Sequence, residues 1–176
     1  LNKSNLNLKL LYRASTDGFS GQSFHSKCDG KNETITLVKT QNTNKIFGGY
    51  LDEAWKTQEA WVNSSKCFVF SITSKEKYAL KSGHEMYAAY GGSTYGPSFG
   101  GGYDFHIINQ NGGALLYSFE IPDLNNFSGG SSFICAEIEV FQITSSSQYS
   151  GASVGKKSTG SPITSEIKKK VADYQG

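Results

Sequence analysis

Asp104 and His106, inside the stretch PSFGGGYDFHI from Pro97 to Ile107, have the residue types and spacing of an acid/base pair. Two positions apart in extended chain, they would share a strand face about 7 Å apart. No nucleophile is placed beside them by spacing, so the expectation is that both face solvent or a partner rather than a substrate. Glu137 and Glu139 repeat the geometry, and there a solvated strand face is the default reading. His25 and Cys28 lie one helical turn apart and have the types of a thiolate dyad or half a zinc site. Zinc takes four ligands, and no CxxC or second His/Cys pair supplies the others, so Cys28 reads as a small core residue.

Glycine-rich stretches raise the question of phosphate binding. A P-loop requires glycine, four residues, then Gly-Lys-Ser/Thr. Before Gly155-Lys156 the first glycine is replaced by Ser150, and Lys157 stands where the magnesium-binding hydroxyl belongs. After Gly100-Gly101-Gly102 the residues alternate like a strand and open no helix, which removes the helix N-terminus that would hold a pyrophosphate. These glycines are expected to permit a bulge or close backbone approach. No cofactor or metal is implied.

The chain has 176 residues and a net charge of +2, which argues against a nucleic-acid binder. Residues 1–143 hold 12 Lys and Arg against 13 Asp and Glu, while residues 144–176 hold five lysines against two acids. The body is neutral and the tail basic. Opening on Leu1, with Met86 the only methionine, the sequence reads as a piece of a longer or processed chain. No apolar run approaches the ~20 residues of a membrane-spanning helix. Cys28, Cys67 and Cys135 are odd in number and widely spaced, the pattern of buried reduced thiols in a cytosolic protein. The sequons at Asn32, Asn63 and Asn126 point the other way, but arise readily in an Asn- and Ser-rich chain.

The elements that must position these residues are short apolar segments separated by turns. They are residues 8–12, 33–39, 45–51, 66–72, 75–81, 86–90, 103–108 and 133–143. The spacing predicts a mainly β (α+β) fold, an antiparallel two-layer sandwich flanked by short helices. In the last segment Ile134, Ala136, Ile138 and Val140 alternate with Glu137 and Glu139, predicting one core face and one wet face. In KCFVFSI both faces are apolar, predicting a doubly covered strand. Thr16 or Asp17 is the expected cap of a short helix running to about Cys28.

From Ser161 the pattern changes. Pro162 fits a first helical turn, and Ile163, Ile167 and Val171 recur every four residues beside Lys168, Lys169 and Lys170. This predicts a domain over 1–143, a Ser/Gly-rich flexible linker over 144–161 and a C-terminal amphipathic helix over 162–176. The six residues of that helix, with Asp104 and His106, are the partner-binding candidates; the lysines suit an acidic protein surface or anionic lipid.

Four blocks of the sequence resemble the TLDc domain family: residues 10–40, KIFGGYLDEAW (45–55), YGPSFGGGYDFHI (95–107) and CAEIEVFQI (135–143). The resemblance implies a β-sandwich flanked by helices in a eukaryotic intracellular protein. It implies a link to oxidation resistance and docking onto the vacuolar proton-pumping ATPase (V-ATPase), with no established catalytic mechanism. Carried over by position, its motif residues are Tyr12, Arg13, Asp17 and Gly18, then Phe47, Gly48, Gly49 and Tyr50, then Glu137, Glu139 and Phe141. The segment 109–132 has little counterpart in the family.

The expected function is a non-catalytic interaction module, with V-ATPase subunits the leading partner, in the cytoplasm at an organelle membrane surface. Two alternatives stand beside it. One is a scaffold component in a cilium or the cytoskeleton; the other is a thiol-based redox enzyme, which would require an exposed cysteine of depressed pKa.

Overall fold

In a computed structural model the structure describes residues 7–144. Of the predicted linker only Thr144 is described, as the end of the last strand, and the rest of it and the predicted tail helix, with Ile163, Ile167, Lys168, Lys169, Lys170 and Val171, lie outside the described residues. Residues 10–142 form one compact unit. Residues 7–9 and 143–144 belong to a second, within which the Thr144 hydroxyl donates to the Asn7 carbonyl at 3.2 Å.

The chain runs β1 (Asn7–Arg13), α1 (Ala14–Asp17), α2 (Gly21–Cys28), β2 (Thr34–Thr40), β3 (Ile46–Leu51), β4 (Ala60–Val62), β5 (Phe68–Ser71) and β6 (Glu76–Ala79). A 3-10 turn (Glu85–Tyr87) follows, then β7 (Ala89–Gly91), β8 (His106–Ile108), β9 (Asn111–Gly113), α3 (Leu124–Phe127) and β10 (Ser132–Thr144). The larger sheet has the order β6-β5-β3-β2-β10-β9-β8, with β1 also on β10, and β4 pairs β7 in a second sheet. This is the mainly β, antiparallel architecture with short flanking helices that the segment spacing predicts.

Strand β2 is buried along its length except for half-buried Lys39, because it lies between β3 and β10 with both faces covered. Thr34 is tolerated there because its hydroxyl accepts the indole N–H of buried Trp55 at 2.8 Å. Aromatic side chains carry the core. The ring of Phe47 meets Phe105, Phe127 and Phe133 at 5.3, 4.8 and 5.1 Å, and Trp55 meets Phe24 and Phe99 at 5.1 and 5.5 Å. Each such ring contributes roughly 1.5–3 kcal/mol by leaving water.

The Gly48-Gly49 pair allows the close crossing expected of it. A Cβ on Gly48 would lie 1.8 Å from the Thr36 carbonyl oxygen of β2, and one on Gly49 would lie 2.6 Å from the Phe99 ring. Phe99 bridges Ala89 on one side and Phe105 on the other, and so connects the smaller sheet to the approach to β8.

Several expectations are corrected. The helix does not start at Thr16 or Asp17. After α1 the chain turns through Gly18 at φ +101°, and α2 starts anew with Ser20 as its cap, the hydroxyl accepting from Ser23 N at 3.1 Å. Residues 86–90 are not one strand but the 3-10 turn followed by β7. In β10 the simple alternation fails: Ile134 and Ala136 are exposed while Phe133 and Cys135 are buried. The register on β2 shifts between Cys135 and Glu137, and this bulge exchanges the faces of the strand. Beyond it Ile138 to Phe141 are all buried, and Glu139 with them.

The first and last family-like blocks meet here. The Tyr12 hydroxyl donates to the Gly18 carbonyl at 2.7 Å, Arg13 N donates to Asp17 Oδ2 at 2.9 Å, and the Arg13 guanidinium reaches Glu139 at 2.7 Å. Glu137 holds the start of α1, accepting from Ser15 N at 3.0 Å and from the Ser15 hydroxyl at 2.5 Å. Both glutamates tie β10 to the β1–α1 segment, Glu139 from a buried position and Glu137 from a half-exposed one, so the expected solvated face is corrected at Glu139.

Candidate functional site

The smaller sheet organises an exposed aromatic surface. In the register of β4 on β7, Val62 opposes Ala89 and Trp61 opposes Tyr90. Val62 and Ala89 are buried, so alternation turns Trp61 and Tyr90 outward, their ring centroids 4.7 Å apart. The 3-10 turn is fixed beside β4 by Ser64 N donating to the Glu85 carbonyl and Ala88 N to the Val62 carbonyl, at 3.0 and 3.1 Å. It sets Tyr87 edge-on to Trp61 at 5.5 Å.

The glycine triplet completes this surface. Gly100, at φ +87°, accepts from Tyr103 N at 2.9 Å to close a turn that holds Tyr103 itself at φ +59°. A non-glycine residue in this region is uncommon and carries a conformational cost. In return the Tyr103 ring lies 5.6 Å from both Trp61 and Tyr90 and stacks on Tyr95 at 5.5 Å with the planes 6° apart. Bare Gly101 and Gly102 make room for neighbours: Cβ atoms there would stand 2.8 Å from Tyr87 and 2.6 Å from Tyr117.

Asp104 is the pivot of this region and is not a partner-facing residue. It is fully buried, and its carboxylate accepts from the backbone N–H groups of Tyr117, Ser118 and Phe119 at 2.8 to 3.1 Å. Burial pushes its pKa up, with those amides and Lys81 acting in opposition. The anchored loop presents Leu115, Leu116 and Tyr117 at 52, 46 and 51% exposure. Lys81 secures it from outside, its ammonium donating to the Tyr117 carbonyl at 2.9 Å. His84 joins the two ends, its ring 5.2 Å from Tyr117 and 6.3 Å from Tyr87.

His106 does not pair with Asp104. Its ring sits 5.1 Å from Tyr103, half-buried, with Nδ1 lacking a hydrogen-bond partner, and burial pushes its pKa down. The tyrosines shift the other way. Burial, then a hydrogen bond with Tyr95, takes the Tyr103 phenol up to about 12, and burial followed by the charge of Glu59 raises Tyr90. Both remain neutral hydroxyls at ordinary pH.

The remaining sequence candidates are engaged in structure. His25 uses both ring nitrogens, Nδ1 at 2.6 Å from Asp29 Oδ1 and Nε2 at 3.0 Å from the Gly92 carbonyl. Burial and then Asp29 push the Cys28 thiol up to about 12, opposite to the direction a thiolate nucleophile needs. Among the described residues no group of three His, Cys, Asp or Glu is placed to hold a metal ion, and no helix is long and apolar enough to cross a membrane. An open cleft of about 340 Å³ beside Trp55 is lined by Asp29, Lys56 and Thr57, whose hydroxyl donates to Asp29.

Sequence reasoning missed Trp61 and the tyrosines around it. A signal was present: Tyr87, Tyr90, Tyr95 and Tyr103, four of the chain's ten tyrosines, fall within 17 positions. The partner strand β4 has three residues and shows no period of its own.

A family model described as the TLDc domain matches residues 1–144. No curated protein matches the chain. The match spans most of the sequence, including both ends of the Arg13–Glu139 tie and the whole aromatic surface, and the chain belongs to the TLDc domain family.

Proposed function

We propose that this chain is a non-catalytic protein-interaction module of the TLDc type that docks onto a large assembly through its exposed aromatic and apolar surface. The carrying observation is that a buried carboxylate, Asp104, binds three consecutive amides of the loop that displays Leu115, Leu116 and Tyr117. A loop held this way loses little freedom on association, and exposed aromatic and aliphatic side chains on a rigid support are what protein interfaces use. The catalytic alternative finds less support, since His25, Glu137 and Glu139 are committed to structural bonds and burial raises the thiols.

Within that reading, subunits of the V-ATPase are the leading partner, the link to oxidative-stress resistance follows from the family, and the site of action is the cytoplasmic surface of an organelle membrane. The test is affinity capture of the full chain from cells, with quantification of V-ATPase subunits. The wild type should retain them, and Leu115→Asp with Leu116→Asp should lose most of the signal while the unfolding midpoint stays near wild type. Equal capture by the double variant would overturn the docking face. Location along cilia or cytoskeletal fibres, without pump subunits, would favour a scaffold component instead.

A further inference from the structure

We propose that the Trp61, Tyr90 and Tyr103 surface, with the Glu59 carboxylate at its rim, receives a positively charged side chain, an arginine guanidinium foremost, from a basic peptide segment of the partner. The inference rests on the reading that this face is where partners dock, and adds the chemistry of what is bound.

Three observations lead to it. The rings are gathered at 4.7 to 5.6 Å, Trp61 and Tyr90 from the outer face of the two-stranded sheet and Tyr103 from the Gly100 turn, with Trp61 37% exposed and the two tyrosines half-buried. Their π-faces carry the negative pole of the aromatic quadrupole, and tryptophan is the strongest of them towards a cation. Glu59 is exposed and directly precedes β4, two residues before Trp61 and next to the Ala60 that pairs with Gly91, so a carboxylate borders the strand that carries the indole, and its charge adds to the upward shift of the Tyr90 and Tyr103 phenols. Third, Tyr103 holds its ring in this group from a left-handed backbone at φ +59°, a cost the fold carries where a side chain must be aimed.

The charge decides the occupant. A wholly apolar partner would cover Glu59 without a counter-ion, and an acidic or phosphorylated one would meet like charge; both are penalised. Lys81, at the Tyr117 end of the surface, is bound to the Tyr117 carbonyl at 2.9 Å. A guanidinium can stack flat on a ring and donate to a carboxylate at its edge, which a point-charged ammonium does less well. The chain already uses this attraction elsewhere, with Lys77 Nζ 4.1 Å from the Phe68 ring centroid.

The experiment is fluorescence anisotropy of the full chain with three labelled peptides of equal length, alternating glycine with arginine, lysine or glutamate. The arginine peptide should bind, the lysine peptide several-fold more weakly, and the glutamate peptide not at all. Trp61→Leu should weaken arginine-peptide binding about tenfold, and Glu59→Gln, an exposed change that leaves the core untouched, about twofold to fivefold. Glu76→Gln on β6 should leave it unchanged. Equal binding by Glu59→Gln and wild type, preference for the glutamate peptide, or no binding of the arginine peptide would each overturn the proposal. If the peptides fail while Leu115→Asp with Leu116→Asp still loses the assembly, the docking face stands and the cation assignment alone falls.

Discussion

Arg13 approaches Glu139 through a single oxygen: Nε and Nη2 both lie 2.7 Å from Oε1, and Oε2 is buried without a partner. The pair joins β1 to β10 across 126 positions of sequence. Glu139 is 1% exposed, so removing the guanidinium strands a carboxylate where water cannot reach it. Arg13→Ala should cost about 3 kcal/mol, the lower end for a broken buried pair, because Arg13 keeps a quarter of its side chain in water. Urea denaturation measures it, and a cost under about 1 kcal/mol would place this pair with weak surface bridges.

The same glutamate sets a pH dependence. Burial is the largest influence on it and holds its pKa above the usual value despite Arg13. A carboxyl that binds its proton more tightly folded than unfolded gives stability that is full below the unfolded pKa and falls as pH rises through the folded one. Glu139→Gln fixes the side chain neutral and removes that slope. Its stability relative to wild type should therefore rise over the interval in which the pH climbs past the ordinary glutamate pKa of about 4.3. A relative stability that falls over this interval would reverse the assigned direction.

Asp104 shares the raised direction but has a different role. Asp104→Asn keeps the size and turns an NH2 group towards amides that need an acceptor. A loss of about 1–3 kcal/mol is expected, as for a buried donor left unsatisfied. Hydrogen exchange gives the sharper readout. The amides of Tyr117, Ser118 and Phe119 should exchange faster in the variant, while those of β2 follow only the global change.

How much of this was legible in sequence depends on the range of the interactions. Strands β2, β3 and β5 were readable because each is an apolar run between turn residues, and Gly48-Gly49 announced a close crossing by lacking side chains. The faces of β10 were not, because the bulge between Cys135 and Glu137 is a property of pairing with β2 and leaves no mark in the alternation. Asp104 was misread for a related reason. An acid among aromatic residues looks exposed until three amides from 13 to 15 positions later converge on it. Trp61 acquires its neighbours only through the pairing of β4 with β7.

Two glycines separate space from backbone strain. Gly48→Ala would drive a Cβ to 1.8 Å from the Thr36 carbonyl oxygen, which cannot retreat without breaking the β2–β3 ladder. A loss of at least about 3 kcal/mol is expected, beyond ordinary overpacking. Gly83 has φ +84° and nothing within 4 Å of where an alanine methyl group would sit, so Gly83→Ala should cost only the left-handed penalty of about 1–2 kcal/mol. Denaturation midpoints of the two variants compare them directly, and equal losses would contradict the steric account.

The thiols give the last test and bear on the redox alternative. Cys28, Cys67 and Cys135 are all buried and free; burial takes Cys28 and Cys135 up to about 12 and raises Cys67 as well. Since the thiolate is the reactive species, alkylation at about pH 8 should proceed only through opening of the fold. Iodoacetamide labelling followed by intact mass should show all three thiols protected in the native chain and modified together once urea unfolds it. Labelling of any one of them in native buffer at the rate of a free thiol would mean a reactive, accessible cysteine, and would return thiol chemistry to this domain.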